Sequence, residues 1–242
     1  MNMSASPLPI SSAAEAPSSS NRDFLDPSTL TGRRLYSRCK RAFDFLLALA
    51  MFVCLLPALL LIAVLIVVDS GLPVLFVNRV VGQYGREFRL YKFRSMHPAR
   101  KLDVERTEVE RNIREGTPTT YVAGKPVYKT AFAEEARITR VGRVLRSTSL
   151  DEVPQLWNIF RGDMSFVGPR PSPPDEVRLY IEWQKQRLVV PQGLTGLYQV
   201  TARNRVPIEA MIRIDLEYIR KRSLWVDLKI LCKTPRAMFT GL

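Results

Sequence analysis

From Phe45 to Val68 the chain runs for 24 residues without a charge, and most of that stretch is Leu, Ala, Val and Ile. At roughly 1.5 Å per residue, a helix of this length reaches across a hydrocarbon core about 30 Å thick. Soluble helices seldom run so far without a polar face, so the stretch predicts a membrane segment rather than a core helix. Pro57 sits near its middle, where the missing N–H and the ring disfavour an uninterrupted helix, and Leu56 before it is biased away from helical geometry. Basic residues crowd both ends: Arg33, Arg34, Arg38, Lys40 and Arg41 before it, Arg79, Arg86, Arg89, Lys92 and Arg94 after it. Positive charge marks the cytoplasmic side, so two basic flanks do not orient a simple span. A helix broken at Pro57 that enters and leaves on the cytoplasmic face satisfies both flanks. A straight span with one flank unfavourably placed is the alternative, and the residues alone weigh the two equally.

On either side of this segment the composition changes. Residues 1 to about 32 are rich in Ser, Pro and Ala with few large apolar side chains, which predicts a disordered tail, and they lack the basic start and apolar stretch of a secretory signal. Residues 33–69 form the membrane-associated unit and 70–242 a single further domain. The 36 Lys and Arg against 23 Asp and Glu give a formal charge of +13, which favours polyanionic partners: nucleic acid, an anionic membrane surface or phosphorylated substrates. Cys39, Cys54 and Cys232 lie far apart and are odd in number, so neither a disulfide framework nor a zinc site is indicated. The one histidine, His97, lies beside Pro98 in a polar stretch and reads as a loop residue rather than a catalytic base.

The 70–242 region reads as α+β, mainly helical. After the turn signal Asp69-Ser70-Gly71, the β-branched and aromatic run Val74–Val81, the turn Gln83–Arg86 and the run Glu87–Phe93 predict a β-hairpin. It would deliver Lys92 and Arg94 close to the membrane, to meet headgroups or a phosphate; a solvated strand edge is the alternative. Arg100–Arg114 suits a charged surface helix and Glu115–Tyr128 a loop or short hairpin. Arg137, Arg140, Arg143 and Arg146 recur every third residue and would share a broad helical face. Further on, Pro174–Leu188 has helical spacing, and Gly193–Val200 suggests a turn into a short strand. Ile208, Ile212, Leu216 and Ile219 line one helix, and Leu224, Leu228 and Leu231 another with Trp225. Both suit amphipathic surface helices on a membrane, and packing into a soluble core fits their spacing equally well. There is no Walker-type loop, no Gly-x-Gly-x-x-Gly and no nucleic-acid-binding signature.

The densest chemistry lies at Arg146-Ser147-Thr148-Ser149-Leu150-Asp151-Glu152-Val153-Pro154-Gln155-Leu156-Trp157-Asn158 and at Arg161–Pro171. Ser149-x-x-Glu152 has the form of a capping box, with Asp151 at the positive end of the helix dipole, and this is the plainer local reading. The functional reading uses the same place. A carboxylate at a helix N-terminus is expected to be ionised and available as a nucleophile, and a phosphate beside it gains from the same dipole. Two anions meet only with cations present: Arg146 and Arg170 from the protein, with Arg170 held on a stiff backbone between Pro169 and Pro171, and Mg²⁺.

Lys92-Phe93-Arg94-Ser95-Met96, Arg146–Asn158, Arg161–Pro171 and the ending Leu224-Trp225-Val226-Asp227-Leu228-Lys229-Ile230-Leu231 together resemble the bacterial sugar transferase family, the monotopic polyprenyl-phosphate phosphoglycosyl transferases. The likeness runs from about Lys40 to Thr240. It departs from the family pattern at Leu56, where a Ser usually precedes the proline, at Glu135-Ala136-Arg137 in place of Asp-Pro-Arg, and at Gln192–Tyr198 in place of Pro-Gly-Ile-Thr-Gly-Leu-Trp. With no four-helix membrane domain ahead of it, the sequence resembles the short, minimal members.

The resemblance implies transfer of sugar-1-phosphate from a UDP-sugar to undecaprenyl phosphate with release of UMP, at the start of exopolysaccharide, O-antigen or glycoconjugate synthesis. It implies Asp151 as the nucleophile at the β-phosphorus, Glu152 in metal coordination or proton handling, Asp151 and Glu152 as Mg²⁺ ligands, and Arg146 and Arg170 on phosphates. It implies a re-entrant membrane helix broken at Pro57 and a catalytic domain on the cytoplasmic face of the bacterial inner membrane. Inner-membrane lipids and downstream glycosyltransferases, but no nucleic acid, are its implied partners. The competing class is a non-enzymatic, membrane-anchored basic scaffold or nucleic-acid binder, which gives Asp151 and Glu152 no reason to lie among arginines.

Overall fold

The computed structural model describes residues 33–97, 120–122, 125–127, 137–202 and 206–240. The tail expected over 1–32 and the helix expected over Arg100–Arg114 lie outside the described residues.

The apolar run lies within a single 37-residue helix, α1 (Arg34–Ser70). Leu46, Val53, Leu60, Leu61, Val64 and Val68 on it are exposed, and among the described residues it is the helix long and apolar enough to cross a membrane. The break expected at Pro57 does not divide the element: helix continues through the proline. Pro57 removes one backbone donor from the ladder, a place where helices bend rather than end. The buried positions of α1, Lys40, Asp44, Ala48 and Ile66, fall toward its two ends.

The expected hairpin forms as β1 (Leu75–Val81) and β2 (Glu87–Phe93), antiparallel, with Leu75 opposite Phe93 and Val81 opposite Glu87. A second antiparallel pair, β3 (Thr120–Val122) with β4 (Lys125–Val127), fits the short hairpin expected there. Next come α2 (Arg140–Ser147), a 3-10 turn over Leu150–Gln155, α3 (Leu156–Arg161) and β5 (Met164–Val167).

Pro174–Leu188 does not form the single helix its spacing predicts. It breaks into α4 (Pro174–Val177), α5 (Glu182–Lys185) and a 3-10 turn over Gln186–Val189. The break lets Tyr180 and Arg187 both turn inward onto Ser172, with Ile181 left exposed between them. The order expected over Gly193–Val200 is also reversed: a strand comes first, β6 (Gln192–Thr195), parallel to β5, and α6 (Leu197–Thr201) follows. Gly193 makes this pairing possible, since a Cβ there would stand 2.1 Å from the Gly168 nitrogen.

Helix α7 (Ile208–Lys221) buries its apolar face, with Ile212, Leu216 and Ile219 nearly solvent-free, so it packs into the core rather than lying on a surface. The last helix, α8 (Leu224–Thr240), does the opposite: Leu224, Trp225 and Leu228 are exposed, while Ile230 is buried. The main core joins Val80, Leu90, Leu156, Ile159, Phe166, Trp183, Ile212, Leu216 and Ala48 of α1. A smaller one joins Ile66 of α1 to Phe93 and Leu145.

Candidate active site

Two contacts assemble the site, one between backbones and one from a side chain. Segment Ser95–His97, just past β2, runs antiparallel to Arg137–Thr139: His97 N donates to Arg137 O at 2.9 Å and Thr139 N to Ser95 O at 3.1 Å. Thr139 then caps α2, its Oγ1 accepting from Gly142 N at 2.9 Å. Gly142 packs directly on Ser95, where a Cβ would stand 2.0 Å from its carbonyl oxygen. Arg146, at the end of α2, thereby comes over Met96, with Nη1 3.0 Å from Sδ. The second contact is Asn158 of α3, fully buried, whose side-chain amide pairs with β2 as a strand would: Oδ1 accepts from Tyr91 N at 3.2 Å and Nδ2 donates to Arg89 O at 2.7 Å. This lays the 3-10 turn across the end of β2.

Lys92 of β2 therefore meets Glu152 of the turn, Nζ to Oε1 at 2.6 Å, with both side chains about a quarter exposed. Asp151 lies beside them, partly buried. Burial, followed by the charge of Glu152, pushes its carboxyl above the ordinary range, while Lys92 and Arg146 pull it down. The capping box does not form. Ser149 adopts a left-handed conformation, φ 56°, its side chain caps nothing, and Glu152 is turned to Lys92. A six-residue 3-10 turn supplies little dipole, so the expectation that a helix start holds Asp151 below its usual range is corrected: the shift is upward.

The structure thus brings together Asp151, Glu152, Lys92 and Arg146. Arg94 faces elsewhere. It is buried, and its guanidinium donates to the carbonyls of Ser70 and Gly71 and to Ser70 Oγ, closing the C-terminal end of α1. Arg140 and Arg143 of the arginine stripe are exposed, and Arg137 donates to the His97 carbonyl. Arg170 is exposed on the loop after β5. Asn158 and Arg187, which hold the site's framework, were not singled out from the sequence, because a buried Asn or Arg looks like any surface polar residue until its partners are known.

Among the described residues no three His, Cys, Asp or Glu side chains gather at one place. Asp151 and Glu152 are the carboxylates here that could hold a divalent cation such as Mg²⁺, which characteristically takes one or two protein carboxylates and completes its shell with waters and substrate phosphates; Glu152 is already paired with Lys92.

A carboxylate pair flanked by Lys and Arg thus lies in a chain that also carries a long, exposed apolar helix. The chain matches the family described as bacterial sugar transferase over residues 35–241, and it belongs to that family. It is 40% identical over 195 residues to a UDP-galactose-lipid carrier transferase of Erwinia amylovora, covering 81% of this chain and 39% of that protein. It is 35% identical over 199 residues to an undecaprenyl-phosphate galactose phosphotransferase of Salmonella typhimurium, covering 82% of this chain and 40% of that one. The exopolysaccharide production protein ExoY of Rhizobium meliloti is 37% identical over 217 residues, 90% of this chain and 92% of its own. The chain therefore spans about two fifths of the first two relatives and nearly the whole of the third.

Proposed function

We propose that the protein transfers sugar-1-phosphate from a UDP-sugar to undecaprenyl phosphate, releasing UMP, as an early membrane step of exopolysaccharide or related glycan synthesis. The observation that carries this is the meeting of Asp151 and Glu152 with Lys92 and Arg146 beside the membrane helix, in a chain of this family. In this reading an Asp151 carboxylate oxygen bonds to the β-phosphorus of the UDP-sugar. The bond from that phosphorus to the bridging oxygen breaks, and UMP departs with the electron pair. A phosphate oxygen of the lipid then attacks the same phosphorus and frees Asp151, leaving a lipid diphosphate sugar. Splitting the transfer lets each bulky anion be handled singly. Lys92 and Arg146 compensate the charge that gathers at the carboxylates, Arg170 grips a substrate phosphate, and Glu152 is held in place by Lys92. Bound Mg²⁺, held by Asp151 and Glu152, would neutralise charge on the diphosphate.

The membrane reading follows from the same contacts. Near its start α1 is tied to the domain by Lys40 and Asp227 at 2.8 Å and by Arg41 on the carbonyls of Ile159 and Phe160. At its end it is tied by Asp69, which accepts from Val141 N, and by Arg94. A domain held at both ends of one helix lies on one side of the bilayer if the helix dips and returns, bending near Pro57, with that side cytoplasmic by its charge.

Replacing Asp151 by Asn is expected to abolish UMP release from UDP-galactose or UDP-N-acetylgalactosamine, while the protein still partitions into membranes. Turnover at the unaltered rate would refute the nucleophile. Cysteines placed at Arg34 and Arg79 should react with a membrane-impermeant reagent from the same side; labelling from opposite sides would mean a span. A scaffold or nucleic-acid binder would release no UMP at all.

A further inference from the structure

Among the described residues Arg187 is the largest side chain with no exposed surface, and its guanidinium forks in two directions. Nη1 donates to Ser172 Oγ and to Tyr180 Oη, both at 2.9 Å. Nη2 donates to the Arg170 carbonyl at 2.9 Å and to Asp215 Oδ2 of α7 at 2.6 Å. It thus holds the backbone of Arg170 itself and the side chain two residues on. The loop Gly168-Pro169-Arg170-Pro171-Ser172 needs such support, because its prolines have no N–H to donate and it can be fixed largely through the bonds it accepts. Pro169 O accepts from Gly193 N at 2.8 Å, Ser172 O from Val81 N at 2.9 Å, and Gly168 N donates to Thr195 O at 2.9 Å. With Arg187 underneath, every backbone carbonyl from Pro169 to Ser172 except that of Pro171 has a named donor, and the Arg170 side chain rises from this platform into solvent.

Stability alone does not call for this arrangement. A buried ion pair is often worth no more to stability than apolar residues of the same volume, because desolvating two charges offsets their attraction. What a forked guanidinium adds, and a hydrophobic filler or a lysine cannot, is two donors at a fixed angle on two points of one loop.

We propose that Arg187, anchored by Asp215, is a positioning residue that aims Arg170 at the substrate phosphate. This rests on the reading of Arg170 as a phosphate-binding residue, given above. Lysine at 187 keeps the charge for Asp215 but cannot reach both the Arg170 carbonyl and Ser172.

The test is a cycle of Arg170→Ala, Arg187→Lys and the double variant in the detergent-solubilised full chain, following UMP release from UDP-galactose or UDP-N-acetylgalactosamine with undecaprenyl phosphate. Thermal unfolding of each variant is recorded alongside. Arg187→Lys is expected to lower kcat/KM for the UDP-sugar about tenfold or more, and to add almost nothing in the Arg170→Ala background, where the aimed group is already gone. Losses that multiply, or a wild-type rate in Arg187→Lys, would overturn the proposal. A wild-type rate in Arg170→Ala would instead refute the role given to Arg170, and the proposal with it. Should Arg187→Lys not fold, Ser172→Ala removes one acceptor of the fork by a single oxygen. A loss of several-fold that vanishes without the Arg170 side chain supports the proposal, and no loss refutes it.

Discussion

Asp151 and Glu152 sit side by side on one short turn, and two carboxylates so close resist being ionised together. Lys92 relieves this directly: it bonds Glu152 at 2.6 Å and lowers the Asp151 carboxyl, which burial and Glu152 hold above its usual range. A nucleophilic Asp151 must be deprotonated, so activity should rise with pH on the acid side as it loses its proton. Lys92→Met removes the attraction that favours the anion, so the carboxyl moves further up and the acid limb of the kcat/KM profile shifts to higher pH. A loss of tenfold or more at neutral pH is also expected from removing one charge-compensating group. A profile that keeps its acid limb while losing rate would mean that Lys92 does not act through Asp151. At this scale the sequence was partly legible. Arg146, Asp151, Glu152 and Lys92 stand out by charge and neighbourhood, and the structure joins them. The sign of the Asp151 shift was not legible: Ser149-x-x-Glu152 reads as a helix cap, and only the left-handed Ser149 and the salt bridge to Lys92 reveal that the motif is used otherwise.

Among elements, the hairpin and α1 follow from period and composition because each is set by neighbours in sequence. The segments that differ from expectation are those whose conformation is set by distant partners. Tyr180 and Arg187 leave the helix that Val177 and Leu188 suggest because Ser172 and Asp215 supply their bonds. Gln192–Thr195 is a strand because β5 lies beside it with glycines at the closest points. Asn158 shows the same dependence, since it bonds β2 from 67 and 69 residues away in the chain. Truncation by Asn158→Ala would leave the Tyr91 N–H and the Arg89 carbonyl without these partners at a half-buried edge of the sheet, which costs roughly 1–3 kcal/mol. A clear fall in Tm is expected, and UMP release should fall below what the remaining folded fraction accounts for, because the turn carrying Asp151 is no longer pinned to the strand carrying Lys92. Unchanged Tm would show that water replaces the amide at both groups. Gly142→Ala should act on the other side of the site: a Cβ 2.0 Å from Ser95 O forces α2 off the strand segment and carries Arg146 with it. Impaired turnover is expected even in preparations that remain folded.

Across the whole molecule, the membrane helix and the last helix are joined by a polar knot that both composition and periodicity hide. Asp227 of α8 accepts from Lys40 Nζ at 2.8 Å, Tyr36 Oη at 2.9 Å and Tyr218 Oη at 2.8 Å, and the Lys40 and Asp227 side chains are about a tenth exposed or less. Nearby, Asp44 Oδ1 accepts from Phe166 N at 3.3 Å, so the start of α1 is also fixed to β5, next to the loop that carries Arg170. The knot thus fixes the start of α1 against α8 and β5. Removing one partner should cost far more than removing both, since a lone buried charge keeps its desolvation penalty and loses its compensation. Asp227→Asn is expected to destabilise the detergent-solubilised protein by roughly 1–3 kcal/mol, because Lys40 loses the carboxylate it bonds while the Asp44 carboxylate still offsets part of its charge. The pair Lys40→Met with Asp227→Leu should recover much of that loss in Tm. It should not recover full UMP release from membrane-embedded lipid acceptor, if fixing α1 against α8 sets where Asp151 stands relative to the bilayer. Activity returning together with Tm would reduce the knot to a stability device and detach the membrane helix from the geometry of the site.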